Sequence, residues 1–119
     1  MEANRNLSGI QFQYHPPSMI ENYHRVTADL SGTDIAKSYS ELGQTVRPAE
    51  MSWTAKGIRA INVPAAFKRQ GIGTELWNQG HQAASANAGV PKPKHSADRT
   101  NEGDAWARSV GGRLPRRLQ

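Results

Sequence analysis

Ile58-Arg59-Ala60-Ile61-Asn62-Val63-Pro64-Ala65-Ala66-Phe67-Lys68-Arg69-Gln70-Gly71-Ile72-Gly73-Thr74-Glu75-Leu76-Trp77 reads as a strand, a short basic turn with two glycines, and the start of an amphipathic helix. That order aims the free backbone N–H groups of a helix start at the carboxyl end of a strand. Such an arrangement binds anions, above all a pyrophosphate. Lys68 and Arg69 add positive charge at the same place. Gly71 and Gly73 carry no Cβ, so the backbone there can approach phosphate oxygens and adopt left-handed dihedrals. A plain strand-to-helix turn is the competing reading. Other phosphate loops fit worse: no Gly-x-x-x-x-Gly-Lys-Ser/Thr run and no Gly-x-Gly-x-x-Gly fingerprint occurs.

Upstream of this stretch, residues 1–9 are polar and expected to be loose. Residues 10–14 alternate apolar with polar, a first strand stopped by Pro16 and Pro17. Residues 23–30 alternate again, with His24, Val26, Ala28 and Leu30 on one face. Ser31, Gly32, Thr33 and Asp34 suggest a hairpin turn, with a partner strand over residues 35–42. Residues 43–50 make a loop, and a further strand is expected over 52–63, bent at Gly57.

Downstream, the helix should span residues 71–88, because Ile72, Leu76, Gly80, Ala83 and Ala84 form a narrow apolar stripe that can pack close to a sheet. Gly89 and Pro91 stop it. Residues 90–95 stand where a fifth strand belongs, although Pro91 and Pro93 argue for an edge or irregular one. A last helix begins near Asp98 or Thr100 and ends at Gly111 and Gly112, with acidic Glu102 and Asp104 early and Arg108 late, as the helix dipole favours. Residues 113–119 form a basic tail. The resulting order is β-β-β-β-α-β-α, an α/β class in a single domain.

The length of 119 residues suits one domain with a modest core. No run approaches the roughly 20 apolar residues of a membrane span, and the first residues have no apolar signal region, so a cytoplasmic chain is expected. The absence of cysteine excludes disulfides, thiolate-zinc sites and a cysteine nucleophile. His15, His24, His81 and His95 lack metal-ligand spacing, so no metal is expected. Of the net charge of +5, residues from Lys92 onward supply +4, from seven basic and three acidic side chains. Such an end attracts nucleic acid or simply maintains solubility. No aromatic interleaving accompanies it, and nucleic acid is not the expected partner.

The run Lys68-Arg69-Gln70-Gly71-Ile72-Gly73 resembles the acyl-CoA-binding motif of the GNAT superfamily of N-acyltransferases. That motif is a strand followed by Arg/Gln-x-x-Gly-x-Gly/Ala at a helix start; Lys68 departs from its first position. The resemblance covers residues 51–112, and residues 10–42 by order alone. It implies a GNAT-like mixed central sheet without the usual first two helices and last two strands. It also implies acetyl-CoA or a related acyl-CoA as substrate, with Ile61, Asn62 and Val63 along the pantetheine arm and Lys68, Arg69, Gln70, Gly71, Ile72, Gly73 and Thr74 around the pyrophosphate. The implied activity is acyl transfer to an unidentified amine, by direct attack on the thioester. The ending Trp106-Ala107-Arg108-Ser109-Val110-Gly111-Gly112 is similar to that of small acetyltransferase-like proteins of phages and actinobacteria.

Acyl transfer needs a base to take the amine proton and a donor for the leaving thiolate. Glu50, His95 and Asp98 are the candidate bases, and each has an ordinary solvated or capping role as its alternative. The family's last-helix tyrosine falls on Ala107, and no tyrosine follows Tyr39. Ser96, Arg99 and Thr100 are placed to touch cofactor or acceptor; the competing reading is a capped helix with Trp106 and Val110 in the core. Trp53, Trp77 and Trp106 read as a ligand cage or, with only two phenylalanines present, as the main core volume. The rival to an enzyme is a GNAT-derived structural or protein-binding module without catalysis. Dimerisation would cover an exposed sheet edge.

Overall fold

The computed structural model describes residues 9–68, 70–96, 99, 101–112 and 114–116, with the backbone alone at 101 and 102. Four strands, β1 (Gln11–His15), β2 (His24–Asp29), β3 (Ala49–Thr54) and β4 (Gly57–Asn62), form one antiparallel sheet in the order β1-β2-β3-β4. Helix α1 (Asp34–Glu41) joins β2 to β3, a short 3-10 turn (Ala65–Phe67) follows β4, and α2 (Ile72–Ala86) and α3 (Asn101–Val110) complete a mixed α/β architecture.

Period-two alternation gives the sheet two unlike faces. Phe12, Tyr14, Val26, Ala28, Met51, Trp53, Ile58 and Ile61 belong to the core, where Ile72, Leu76 and Trp77 of α2 join them. The opposite face carries Gln13, His15, Arg25, Thr27, Glu50 and Ser52. Gly80 is why α2 can lie so close to the sheet. A Cβ there would stand 2.7 Å from both Met51 Cε and Pro93 Cγ. The apolar stripe read from the sequence is the buried face of α2: Ile72, Leu76, Gly80 and Ala83 are all buried.

Three elements differ from the sequence reading. Residues 34–41 form a helix, not a strand. Thr33 is its N-cap, with Oγ1 accepting from the Ala36 amide at 3.2 Å, and Asp34 sits in the first turn. That capping and Ala36 turned to the core select a helix over the partner strand expected after residues 31–34. The single long strand over 52–63 is instead the hairpin β3–β4, with Thr54 opposite Gly57, whose φ is +138°. Finally, residues 90–96 form no strand. Pro91 and Pro93 lack the amides a ladder needs, and one backbone bond remains, from the Ile58 amide to the Lys94 carbonyl at 2.8 Å. The order is therefore β-β-α-β-β-α-α rather than β-β-β-β-α-β-α. β4 is an outer strand of the sheet.

Candidate functional site at the start of α2

The glycine turn has the backbone form expected of it. Gly71 is the N-cap of α2 at φ +86°, a left-handed conformation, and no side chain caps the helix. A helix start leaves its first amides without intrahelical partners, and here the first bond back to the cap runs from Glu75 to the Gly71 carbonyl at 3.0 Å. The amides of Ile72, Gly73 and Thr74 thus face outward at the positive end of a 15-residue helix. Thr74 and Gly71 are exposed, whereas the Ile72 side chain is buried in the core, so Ile72 contributes only its backbone. Lys68 is exposed on the same turn, and the Gln70 side chain reaches the Ala66 carbonyl at 3.5 Å.

Gly73 has a second reason to be glycine. A Cβ there would lie 3.3 Å from Nε1 of Trp106. That indole N–H is closed off from solvent and has no hydrogen-bond partner. The indole N–H therefore packs against the first turn of α2 without an acceptor of its own. Buried polar groups are rarely left this way. The sequence placed Trp106 in the core or a cage; its position beside Gly73 arises from the packing of α3 across α2, to which no local signal points.

Of the candidate bases, Glu50 and His95 are described, and each has its own partners. Glu50 lies on β3 directly opposite Asn62, the last residue of β4, and its carboxylate is 3.4 Å from Arg25. His95 is 3% exposed and is part of the framework. Its ring stacks on Trp77 with centroids 4.3 Å apart, and Nε2 donates to the Gly111 carbonyl at 2.6 Å. Gly112 passes close enough that a Cβ would lie 3.5 Å from both rings. His95 thus clamps the end of α3. Arg99 is buried and holds Asp104 at 3.0 Å and the Ser96 carbonyl, so it too braces the start of α3. The Asp104 carboxyl is held below its usual range by hydrogen bonds from Arg108 and Arg99. Ala107 is buried where the resemblance would put a tyrosine. Arg69, Asp98, Thr100 and the tail residues Arg113 and Arg117 lie outside the described residues.

Ile61 and Asn62 end β4, and Val63 follows it, at the outer edge of the sheet. A register irregularity stands opposite Ser52 and Trp53, where Ala60 and Ile58 pair and Arg59 is the extra residue. Such bulges re-aim side chains. Here Arg59 turns onto the far face, donates to Ser52 Oγ at 3.2 Å and lies 3.9 Å above the Tyr23 ring. Among the described residues no three His, Asp or Glu side chains gather as a metal site, and no helix is long and apolar enough to cross a membrane. No family model matches the chain, and no curated protein or solved structure matches it significantly.

Proposed function

We propose that the chain binds an acyl-CoA, with the pyrophosphate against the turn that opens α2, and that it passes the acyl group to an amine. The observation that carries this reading is the helix start that left-handed Gly71 leaves without a side-chain cap, with Gly71, Thr74 and Lys68 exposed around it. An anion's oxygens supply the acceptors that the first amides of α2 lack. The resemblance of Lys68-Arg69-Gln70-Gly71-Ile72-Gly73 to the GNAT motif names the anion as the pyrophosphate of CoA. β4, as an outer strand, leaves Ile61 and Val63 at an edge that an extended pantetheine arm can follow.

In the transfer step the amine nitrogen attacks the thioester carbonyl, the C–N bond forms, the C–S bond breaks, and CoA leaves as a thiolate that takes up a proton. Glu50 is the described carboxylate best suited to accept the amine proton, since it stands across from Asn62 at the end of β4. His95 is not used, because its Nε2 is committed to Gly111. A second reading, binding without turnover, is favoured by that commitment and by the buried Ala107.

The test is calorimetric titration with CoA and acetyl-CoA. With Kd of about 10 μM and ligand near 1 mM, the fold should gain roughly 2.7 kcal/mol. Thr74→Glu places a carboxylate in the first turn, where the helix dipole favours it. This variant should fold as well as the parent and bind CoA at least about tenfold more weakly. No binding by the parent, or equal binding by the variant, overturns the pyrophosphate assignment. Release of CoA in the presence of amines, rising with pH and lost in Glu50→Gln, separates the enzyme from the binding module.

A further inference from the structure

A second site lies at the other end of α2. Beyond its last turn the chain passes through Gly89 and Pro91, and there the β1–β2 connection and the β3–β4 turn close around a groove of about 490 Å3. That volume is within the range of small-molecule sites, about 300–1,000 Å3. At about 1.5 Å per residue, α2 separates this groove from the glycine turn by roughly 20 Å.

One wall of the groove is His24, which packs with Tyr14 and Trp53 in a cluster of three rings whose centroids are 6.1 Å apart for His24–Tyr14, 5.5 Å for His24–Trp53 and 6.1 Å for Tyr14–Trp53. The Tyr14 hydroxyl is 2.8 Å from His24 Nδ1, and the Trp53 indole donates to the Pro91 carbonyl at 2.8 Å. Burial lowers the His24 pKa and raises that of Tyr14, so at neutral pH the imidazole is uncharged and the phenol keeps its proton. A neutral imidazole beside a protonated phenol can accept at Nδ1 and carry its own proton on Nε2.

The remaining polar lining consists of Lys56, Asn22 and Thr54, with no carboxylate among the lining residues. Thr54 Oγ1 already accepts from the Lys56 amide at 3.1 Å. Glu21, nearby in sequence, is engaged with Tyr23 and Arg25 instead. Pro17, Ala55 and Pro91 provide apolar surface beside these donors. A cation and two neutral donors against an apolar wall are complementary to a small organic anion.

We infer that this groove binds a small carboxylate with a short apolar body, the carboxylate received by Lys56, Asn22 and His24 Nε2 and the body lying against Pro17 and Pro91. Binding here is independent of the turn that opens α2.

Amide chemical-shift titration of the full chain with butyrate and benzoate, and with butyramide and benzamide as uncharged controls, tests this. Saturable millimolar shifts are expected at Asn22, His24, Lys56 and Gly89, with the amides at least about fivefold weaker. Lys56→Gln, at an exposed turn position, should keep the parent spectrum elsewhere and lose about fivefold in carboxylate affinity. Tyr14→Phe retains the ring stack but frees Nδ1, and should also weaken binding. Absent saturation at groove residues, an equal response to the amides, shifts confined to Gly71–Thr74, or unchanged affinity in Lys56→Gln each overturn the assignment.

Discussion

His95 lies on Trp77 with centroids 4.3 Å apart and planes 6° apart, while His24 lies on Trp53 at 5.5 Å and 27°. The two pairs stand on different parts of the same layered core and use the imidazole in opposite ways. His95 is sealed, crossed at its edge by Trp106, and its Nε2 holds the carbonyl that ends α3. His24 is half-buried, braced by Tyr14 through one nitrogen, and borders an open groove. The difference teaches that a histidine's role is set by what closes over it. Where a helix end and two glycines pack on the ring, the imidazole becomes framework. Where the β1–β2 connection, the β3–β4 turn and residues 89–91 leave a groove open, one nitrogen is left for a ligand.

Removing each ring is the strongest challenge to this contrast. His95→Ala leaves a cavity between Trp77 and Trp106 and releases the Gly111 carbonyl, and should cost about 3 kcal/mol. His24→Ala, at the rim, should cost only about 1 kcal/mol. Urea unfolding followed by tryptophan fluorescence measures both. Equal losses would erase the distinction between framework and rim.

Gly80 lies between the two clusters, against Met51, Pro93 and Trp53. Gly80→Val should destabilise by about 2 kcal/mol, because the Met51 terminus can swing aside but the Pro93 ring cannot easily yield. A valine accepted without loss in a thermal melt would mean that α2 is not held as closely to the sheet as the 2.7 Å approach requires.

Trp106→Tyr would confuse size with polarity, so Trp106→Phe is the cleaner change. It removes an unpartnered N–H, which is a gain, and part of a ring, which is a loss, so stability should move by about 1 kcal/mol or less. CoA affinity should be unchanged, because that N–H is closed off from solvent. A loss of affinity with stability kept would mean that the indole reaches the ligand.

The smallest effect concerns acid. Burial lowers the pKa of His24, His15 and His81, with Arg25 adding to the effect at His15 and Lys92 and His95 at His81. A histidine whose folded pKa is lowered contributes stability that is complete above its unfolded value of 6.5 and is lost as pH falls through the window down to the folded value. The melting temperature should therefore decline modestly as pH falls below about 6.5. His24→Asn should remove part of that decline. A melting temperature that rises on acidification would contradict the assigned directions.

Much of the frame could be read from neighbours in sequence. β1 and β2 follow from alternation, and α2 and α3 follow from apolar spacing and glycine stops. The left-handed Gly71 follows from a glycine at a helix start. These signals act within a turn or two of chain, where backbone sterics, caps and side-chain period decide. Residues 34–41 show the limit even there. The expected hairpin turn over residues 31–34 calls for a partner strand, but the Thr33 cap and the buried Ala36 select a helix. Residues 90–95 show the converse, since their place in the order calls for a strand and Pro91 and Pro93 deny them a ladder.

The amino-acid sequence by itself determined that a glycine-opened helix follows a strand, with basic residues at the junction. Only the tertiary structure decided that the Trp106 N–H faces Gly73, 33 positions earlier in the chain. It also decided that His95 closes on Gly111, and that Tyr14, His24 and Trp53 stack beside Pro91. Those pairings join residues with no shared local pattern. They form because burying large rings against one sheet face leaves few arrangements in which each ring nitrogen or hydroxyl finds a partner. Among the described residues, Trp106 Nε1 and His81 Nε2 are where that requirement is unmet.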